Sequence, residues 1–187
     1  MAMLLLHPAV DVFEYENREA LEVAVEEGSM RIIHMLIADG RFEITEHVVL
    51  SAIDTGDGMI FDMVFRNRNN YSNTEKKHIL IRIVRAKNTE IMHHLLTDGN
   101  ISPDFGNNVA LRTAVHEGHT EMVELLLGDV RVGLNIPWED IFMRAVQRNH
   151  TKIVQLLLRD NRMSVTTQMY DTILCAAENS YPAILRM

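Results

Sequence analysis

One short motif returns along this chain at intervals of about thirty residues. It consists of an alanine, a β-branched residue, two polar residues and a glycine or asparagine, and it occupies residues 24–28, 52–56, 114–118 and 145–149. An apolar pair follows each copy about eight residues later, at 36–37, 64–65, 126–127 and 157–158. Self-similarity at a period of roughly 20 to 50 residues indicates a stacked array of like units. The repeat therefore limits the architecture more strongly than any single residue does.

Each unit is predicted to contain two helices joined by a tight turn. In residues 107–118 the apolar positions recur three and four apart, and Gly118 tolerates the left-handed conformation that ends a helix. A second helix is predicted over 119–127, with Glu121 in its first turn, where the helix dipole favours an anion. In the third unit we place the turn at Asn88, one residue out of strict phase, although Lys87 is the exact match to the period. Helices of about ten residues are marginal alone, so the units must stack.

We expect one all-α domain over residues 1–187, an α-solenoid of helix-turn-helix repeats with protruding loops or hairpins. The expected divisions are a partial unit at 1–16, repeats at about 17–45, 46–75, 76–106, 107–137 and 138–168, and a partial unit at 169–187. Residues 67–75 belong to the least regular unit, and we interpret them as a loop insertion.

Composition is that of an ordinary folded chain, at 47% hydrophobic and 24% charged residues. No apolar run approaches the roughly eighteen residues that cross a bilayer, and the first residues lack the length and basic flank of a secretory signal. The single cysteine, Cys175, has no partner for an internal disulfide, and we expect it to be a buried small hydrophobe. We expect a cytoplasmic protein without a membrane partner.

Residues 114–127 resemble the core of an ankyrin repeat, with a small-residue pair, the turn Gly118-His119 and a second helix rich in Val and Leu. The resemblance extends over essentially the whole chain. It departs from the family pattern at the start of the first helix, where Thr-Pro-Leu-His is expected and this chain has Val109-Ala110-Leu111-Arg112. Such degenerate units are similar to the ankyrin arrays of giant viruses and free-living protists. A viral origin would place the protein in the host cytoplasm.

What the resemblance implies is a scaffold that binds a protein partner on a concave face of first helices and loop tips. The two positions before each turn would line that face, and they differ between units while their neighbours stay alike. They are Glu26, Glu27, Asp54, Thr55, Arg85, Ala86, His116, Glu117, Gln147 and Arg148. The alternative interpretation of these residues is a solvated surface.

Aromatic residues stand near the start of the first helix in successive units. Phe105, Trp138 and Tyr170 are candidates for partner contact because Trp and Tyr are enriched among the residues that dominate binding energy. Asn108, in the Asn-Asn pair before the first helix of its unit, is a further candidate. Aromatics at the root of a loop also serve to pack that loop onto the next helix, and this alternative stays open.

Charge is unevenly distributed along the chain, whose net charge is −8. The first unit is acidic, and a negative total argues against general nucleic-acid binding. The middle of the chain is basic through Arg66, Arg68, Lys76, Lys77, Arg82, Arg85 and Lys87. This cationic belt either docks an acidic protein segment or forms a solvated face.

No sequence motif of an enzyme is present: the chain lacks a phosphate-binding Gly-rich loop, a nucleophile elbow and paired-cysteine metal spacing. Among the nine histidines, His119 and His150 occupy the same place in consecutive units, which predicts a structural role repeated by the fold. We expect a non-catalytic protein with no cofactor and no metal site.

A second interpretation of the function is a fragment of a longer repeat protein, or an array that associates end to end. It rests on apolar residues near the two ends of the chain, Leu4, Leu5, Ile184 and Leu185, because terminal repeats normally carry polar capping faces. On this interpretation the protein is a monomer or associates weakly through its ends.

Overall fold

The computed structural model describes residues 19–132 and 136–163, together with 166, 170, 171 and 174. Within these residues the chain forms ten helices arranged as five consecutive pairs. The pairs are α1 (Ala20–Glu26) with α2 (Met30–Asp39), α3 (Glu46–Thr55) with α4 (Gly58–Arg66), α5 (Asn73–Arg85) with α6 (Thr89–Asp98), α7 (Phe105–Glu117) with α8 (Thr120–Gly128), and α9 (Trp138–Gln147) with α10 (Thr151–Arg159).

The helix pairs stack in the order of the sequence and form two layers. The first helices α1, α3, α5, α7 and α9 contact one another in succession, and so do the second helices α4, α6, α8 and α10. Each first helix also packs on the second helix of its own pair. This arrangement confirms the prediction of an all-α solenoid of stacked helix-turn-helix units.

The repeated alanine of the motif lies at the centre of the core. Ala24, Ala52, Ala114 and Ala145 are all buried, and large aliphatic and aromatic side chains from both layers surround them in one continuous cluster. The apolar pair of each unit contributes the second layer, for example Leu36, Val64 and Leu126, which are at most 1% exposed. The sequence repeat is therefore a repeat of buried positions.

The turns within the pairs adopt the left-handed backbone that the motif predicts. Gly28, Gly56 and Gly118 have positive φ, and in the third unit Lys87 takes this conformation with φ of 56° while Asn88 caps the next helix. Asn149 takes the left-handed conformation in the fifth unit. The placement of this turn at Asn88 is therefore wrong: Asn88 is needed as the cap of the next helix, where its side chain accepts from the amide of Ile91, and the left-handed residue is Lys87, at the exact period of the repeat.

Side chains at the start of the second helices bond across to the preceding unit. The side-chain amide of Asn88 donates to the carbonyl of Gly56 at 2.9 Å, and ring nitrogen Nδ1 of His119 donates to the carbonyl of Val84 at 2.9 Å. Nε2 of His150 lies 3.3 Å from the carbonyl of His116. The repeated structural role of His119 and His150 is confirmed.

A second set of bonds between units lies at the opposite ends of the second helices. Arg131 pairs with Asp129 and donates from Nη2 to the carbonyl of Leu96 at 2.7 Å, one unit earlier. Arg162 pairs with Asp160 and donates to the carbonyl of Leu127 at 2.6 Å. The hydrogen bond from Arg131 keeps the pKa of Asp129 below its usual value, and Arg162 has the same effect on the pKa of Asp160. These Asp-x-Arg clamps join the fourth unit to the third and the fifth unit to the fourth.

The region expected to be a loop insertion is shorter and more ordered than the sequence suggests. Helix α5 begins at Asn73 because Ser72 and Glu75 form a reciprocal capping box, so the connection covers only residues 67–72. The Tyr71 ring stacks on Phe65 with centroids 4.8 Å apart, and its hydroxyl donates to the carbonyl of Phe65 at 2.9 Å. Burial raises the pKa of this Tyr71 hydroxyl. Tyr71 therefore packs the connection against the core.

Gly118 gives the first prediction, because it combines a left-handed backbone with a crowded site. A Cβ at Gly118 would lie 2.6 Å from Cε1 of His150, whereas Gly99, with a similar φ of 77°, has nothing within 4 Å of an added Cβ. We expect both Gly118→Ala and Gly99→Ala to lose roughly 1–2 kcal/mol from backbone strain. Gly118→Ala should lose about 1 kcal/mol more, since the His150 ring must move away from the carbonyl of His116. Urea unfolding of both variants measures the difference, and equal losses would contradict the crowding argument.

The capping box gives a prediction for the pH dependence of stability. The backbone amide and hydroxyl of Ser72, followed by Arg68, hydrogen-bond the Glu75 carboxylate and lower its pKa from 4.5 to about 2. Because the folded state holds the ionised form, this contribution to stability is complete above about pH 4.5 and is lost as the pH falls toward about 2. The free energy of unfolding of wild type minus that of Glu75→Gln should therefore shrink as the pH falls through this range. Urea titrations at several pH values test it, and a constant difference would refute it.

Candidate functional site

The candidate contact residues lie in a row at the ends of the first helices. Glu26 ends α1, Thr55 ends α3, Arg85 ends α5, Glu117 ends α7 and Gln147 ends α9. Because these helices are neighbours in one layer, their ends form a continuous strip, which we call the first-helix face. The exposed members of the candidate set on this face are Glu26, Glu27, Asp54, Arg85, Ala86, Glu117, Gln147 and Arg148, and His116 is half-buried.

Ion pairs between adjacent first helices run along this face. Arg82 forms a bidentate pair with Asp54, Arg85 lies 3.8 Å from Glu117, and Arg112 lies 3.4 Å from Asp140. Toward the first unit, His47 approaches Glu22 at 3.0 Å and His78 approaches Glu46 at 2.8 Å. Partly exposed pairs of this kind contribute little stability, typically below about 1 kcal/mol each. Three candidate residues, Asp54, Arg85 and Glu117, therefore already have partners within the chain.

The hydroxyl of Thr55 serves the local turn. It donates to the carbonyl of Ala52 at 2.8 Å and accepts from the amide of Asp57 at 3.2 Å. His116 has its own neighbour, since Nη1 of Arg144 lies 3.4 Å from its Nδ1. Both side chains are thus held in place on the face before any partner arrives.

Two adjoining grooves mark the centre of the first-helix face. The first, with a volume of about 500 Å³, lies between α3 and α5 and is lined by Leu50, Asp54, Ile81, Arg82 and Arg85 among others. The second, of about 320 Å³, lies between α5 and α7 and is lined by Lys77, Arg85, Arg112, His116, Glu117 and Arg144 among others. Arg85 lines both grooves, so they form one surface.

Sequence reasoning on the positions before the turns missed several of these lining residues. The signal that could have found them is the spacing of four along each helix, which places side chains on one face. Lys77, Ile81 and Arg85 are spaced by four along α5, and Leu50 and Asp54 are spaced by four along α3. Each helix thus contributes a stripe rather than only its last turn.

The aromatic candidates fall into two groups. Phe105 and Trp138 are half-buried and pack against the core, with the Lys76 ammonium 5.9 Å from the Phe105 ring centroid and the Arg162 guanidinium 6.0 Å from that of Trp138. Their packing supports the interpretation that they anchor loops. Tyr170 is 61% exposed and stays a candidate for contact.

Asn108 differs from the other candidates because its side chain does not face solvent. It is 1% exposed, and together with Gly106 and Asn107 it forms a left-handed stretch with φ near 60° at the start of α7. The sequence pattern, an Asn-Asn pair before the first helix, did not predict this left-handed backbone. Asn108 is therefore removed from the candidate surface.

The cationic belt expected from the sequence is mostly neutralised within the chain. Arg66 pairs with Asp62 at 2.8 Å and lies 3.3 Å from Asp98, and Arg68 pairs with Glu75 at 2.5 Å. The side chains of Lys77 and Lys87 are exposed and make no hydrogen bond or ion pair within the described part of the chain. Only Lys77 of these two lysines lines a groove.

Within the described ranges, no three His, Cys, Asp or Glu side chains gather in the arrangement of a metal site. None of the helices described has the length and apolar character needed to cross a bilayer. Cys175 and the four terminal apolar residues lie outside the described residues, so the predictions made for them stay predictions.

The family model for the ankyrin repeat matches residues 106–136, which cover most of α7 and all of α8. The match identifies one ankyrin repeat, at these residues, and the other described helix pairs have the same helix-turn-helix architecture. No curated protein and no solved structure matches the chain significantly, and the narrower likeness to giant-virus and protist arrays has no support. Ankyrin repeats generally mediate protein–protein interactions and are generally non-catalytic.

The packing of Trp138 leads to a prediction for the candidate surface. Trp138→Ala should lower the free energy of unfolding by roughly 1–3 kcal/mol, because a half-buried ring leaves the core and the stacking with Arg162 is lost. Tyr170→Ala, at an exposed site, should change it by less than about 0.5 kcal/mol. Urea unfolding of the two variants makes the comparison. A neutral Trp138→Ala would show that the ring does not anchor its loop.

Proposed function

We propose that this protein is a non-catalytic interaction scaffold that binds a protein partner along the first-helix face. The observation that carries the proposal is the contrast between the two sides of each first helix. The buried side repeats small and aliphatic residues, whereas the exposed positions before the turns change in charge and size from Glu26 to Asp54, Arg85 and Gln147. Stacking requires similarity only on the inside, so the outside is free to fit a partner.

The extent of the strip also supports the proposal. Five first helices lie side by side and present a surface that spans every described unit, with adjoining grooves at its centre. Specific protein interfaces involve about 20–30 residues on each side, which a strip of this kind supplies without a deep enclosed pocket. We place this interaction in the cytoplasm and propose Tyr170 as a contact at the end of the strip.

A comparison of two matched surface variants tests the proposal. The face variant replaces Glu26, Glu27, Gln147 and Arg148 by Ala, all exposed positions at the ends of first helices. The control replaces His34, Glu124, Lys152 and Gln155 by Ala, all exposed positions on second helices. Affinity capture followed by mass spectrometry should show a protein that is retained by wild type and control and depleted about tenfold by the face variant, a change of about 1.4 kcal/mol in binding.

Folding of both variants is checked by circular dichroism and urea unfolding. If the control variant loses the captured protein while the face variant keeps it, the partner binds the second-helix layer. That result would overturn the proposed face, as would capture that neither variant affects.

A further inference from the structure

In the groove between α5 and α7, cations from three helices meet. Lys77 and Arg85 come from α5, Arg112 from α7 and Arg144 from α9. Lys77 is exposed and unpaired among the described residues, and 65% of the Arg85 side chain is exposed. The groove thus brings together charges that lie far apart in the sequence.

The carboxylates that face this groove do not balance its cations. Glu117 is the acidic residue of the lining, and its nearest approach to Arg85 is a loose 3.8 Å. Asp140 is shared, since it lies 3.4 Å from Arg112 and 3.6 Å from Arg144. Four cations therefore face two carboxylates, and the groove is locally positive although the chain carries a net charge of −8.

Apolar side chains lie in the groove beside these cations. Leu50, Ile81 and Ala86 line the same groove as the paired Asp54 and Arg82. Ile81 stands between Lys77 and Arg85 on the same stripe of α5, so it is within reach of a ligand that contacts both cations. Half-buried aliphatic side chains next to unpaired positive charge are the surroundings that a mixed acidic and apolar ligand requires.

From these contacts we infer that the partner bound by the proposed first-helix face docks through an acidic segment that carries a large apolar side chain. Its carboxylates pair with Lys77, Arg85 and the two arginines of α7 and α9, and its apolar side chain covers Leu50 and Ile81. The inference rests on the proposed function and specifies the chemistry of the partner. Charge complementarity of this kind speeds association and selects against basic partners.

Fluorescence anisotropy with a defined probe tests the inference. The probe is a fluorescein-labelled peptide in which a central leucine is flanked on both sides by glutamates, and the full chain is titrated into it. We expect saturable binding that weakens as NaCl rises from about 50 to about 300 mM, because screening acts on partly exposed charges. Replacing the leucine of the peptide by serine should weaken binding about threefold or more, as loss of one buried aliphatic group requires.

Matched charge variants locate the binding. Lys77→Gln combined with Arg85→Gln should weaken peptide binding about fivefold or more. Lys152→Gln combined with Arg159→Gln removes the same charge from exposed positions on α10 and should change it less than about twofold. Circular dichroism and urea unfolding confirm that both double variants are folded.

Three results would overturn the inference: absence of saturable binding, equal weakening by the two double variants, or indifference to the leucine. If analytical ultracentrifugation shows that the Lys77 and Arg85 substitutions instead break a dimer of this chain, the groove binds a second copy and the inference also fails. The proposed function is judged separately, because a partner captured through the first-helix face that lacks any acidic segment would sustain it while refuting this inference.

Discussion

Packing between successive helix pairs is the interaction on which the whole structure depends. The described helices contain 7 to 13 residues, lengths at which an isolated helix in water is marginal. Each one is stabilised by burying a stripe of Ile, Leu, Val and Ala against its neighbours, and most of these side chains are less than 2% exposed. Because the extensive contacts of each described unit are with the units beside it, stability accumulates along the array as a sum of similar interfaces.

Hydrophobic contact alone does not set the position of one unit on the next, since aliphatic surfaces slide. Directional bonds at both ends of the second helices supply that register. His119 and Asn88 hold the turn side, and the Asp-x-Arg clamp of Arg131 holds the loop side. In the second unit, Asn67 and Asn69 occupy the places of the Asp and the Arg, and the half-buried Tyr71 and the capping box of Ser72 and Glu75 secure the connection instead. The third unit keeps the Asp as Asp98 but has Asn100 in place of the Arg, and Asp98 lies 3.3 Å from Arg66 of the second unit.

The sequence predicts the features that depend on local pattern. Helix pairs, the turns at Gly28, Gly56, Gly118 and Asn149, and a structural role for His119 and His150 all follow from the repeat, whereas the third turn lies at Lys87 and not at the expected Asn88. Features that depend on contact between units cannot be predicted from the repeat. The gathering of Arg112 and Arg144 beside Lys77 requires the stacking order, and the burial of Asn108 requires a left-handed backbone stretch that helical periodicity conceals. The capping box of Ser72 and Glu75 could have been predicted from the sequence, because a serine followed three residues later by a glutamate is typical of a helix N-terminus.

The ion pairs that stabilise the stack and the ion pairs on the candidate binding surface lie in different places and differ in exposure. The clamps that join units use carboxylates with little exposure, 14% for Asp129 and 11% for Asp160, and their guanidinium groups also satisfy helix carbonyls. Breaking such a clamp leaves poorly hydrated groups without partners, which is costly. The pairs on the first-helix face are more exposed, and that of Arg85 and Glu117 is also loose at 3.8 Å, so water replaces a lost partner there at small cost. A carboxylate from a partner can therefore displace Glu117 from Arg85 without disturbing the stacking of the units. For the same reason, the exposed charges can differ from one unit to the next while the fold stays the same.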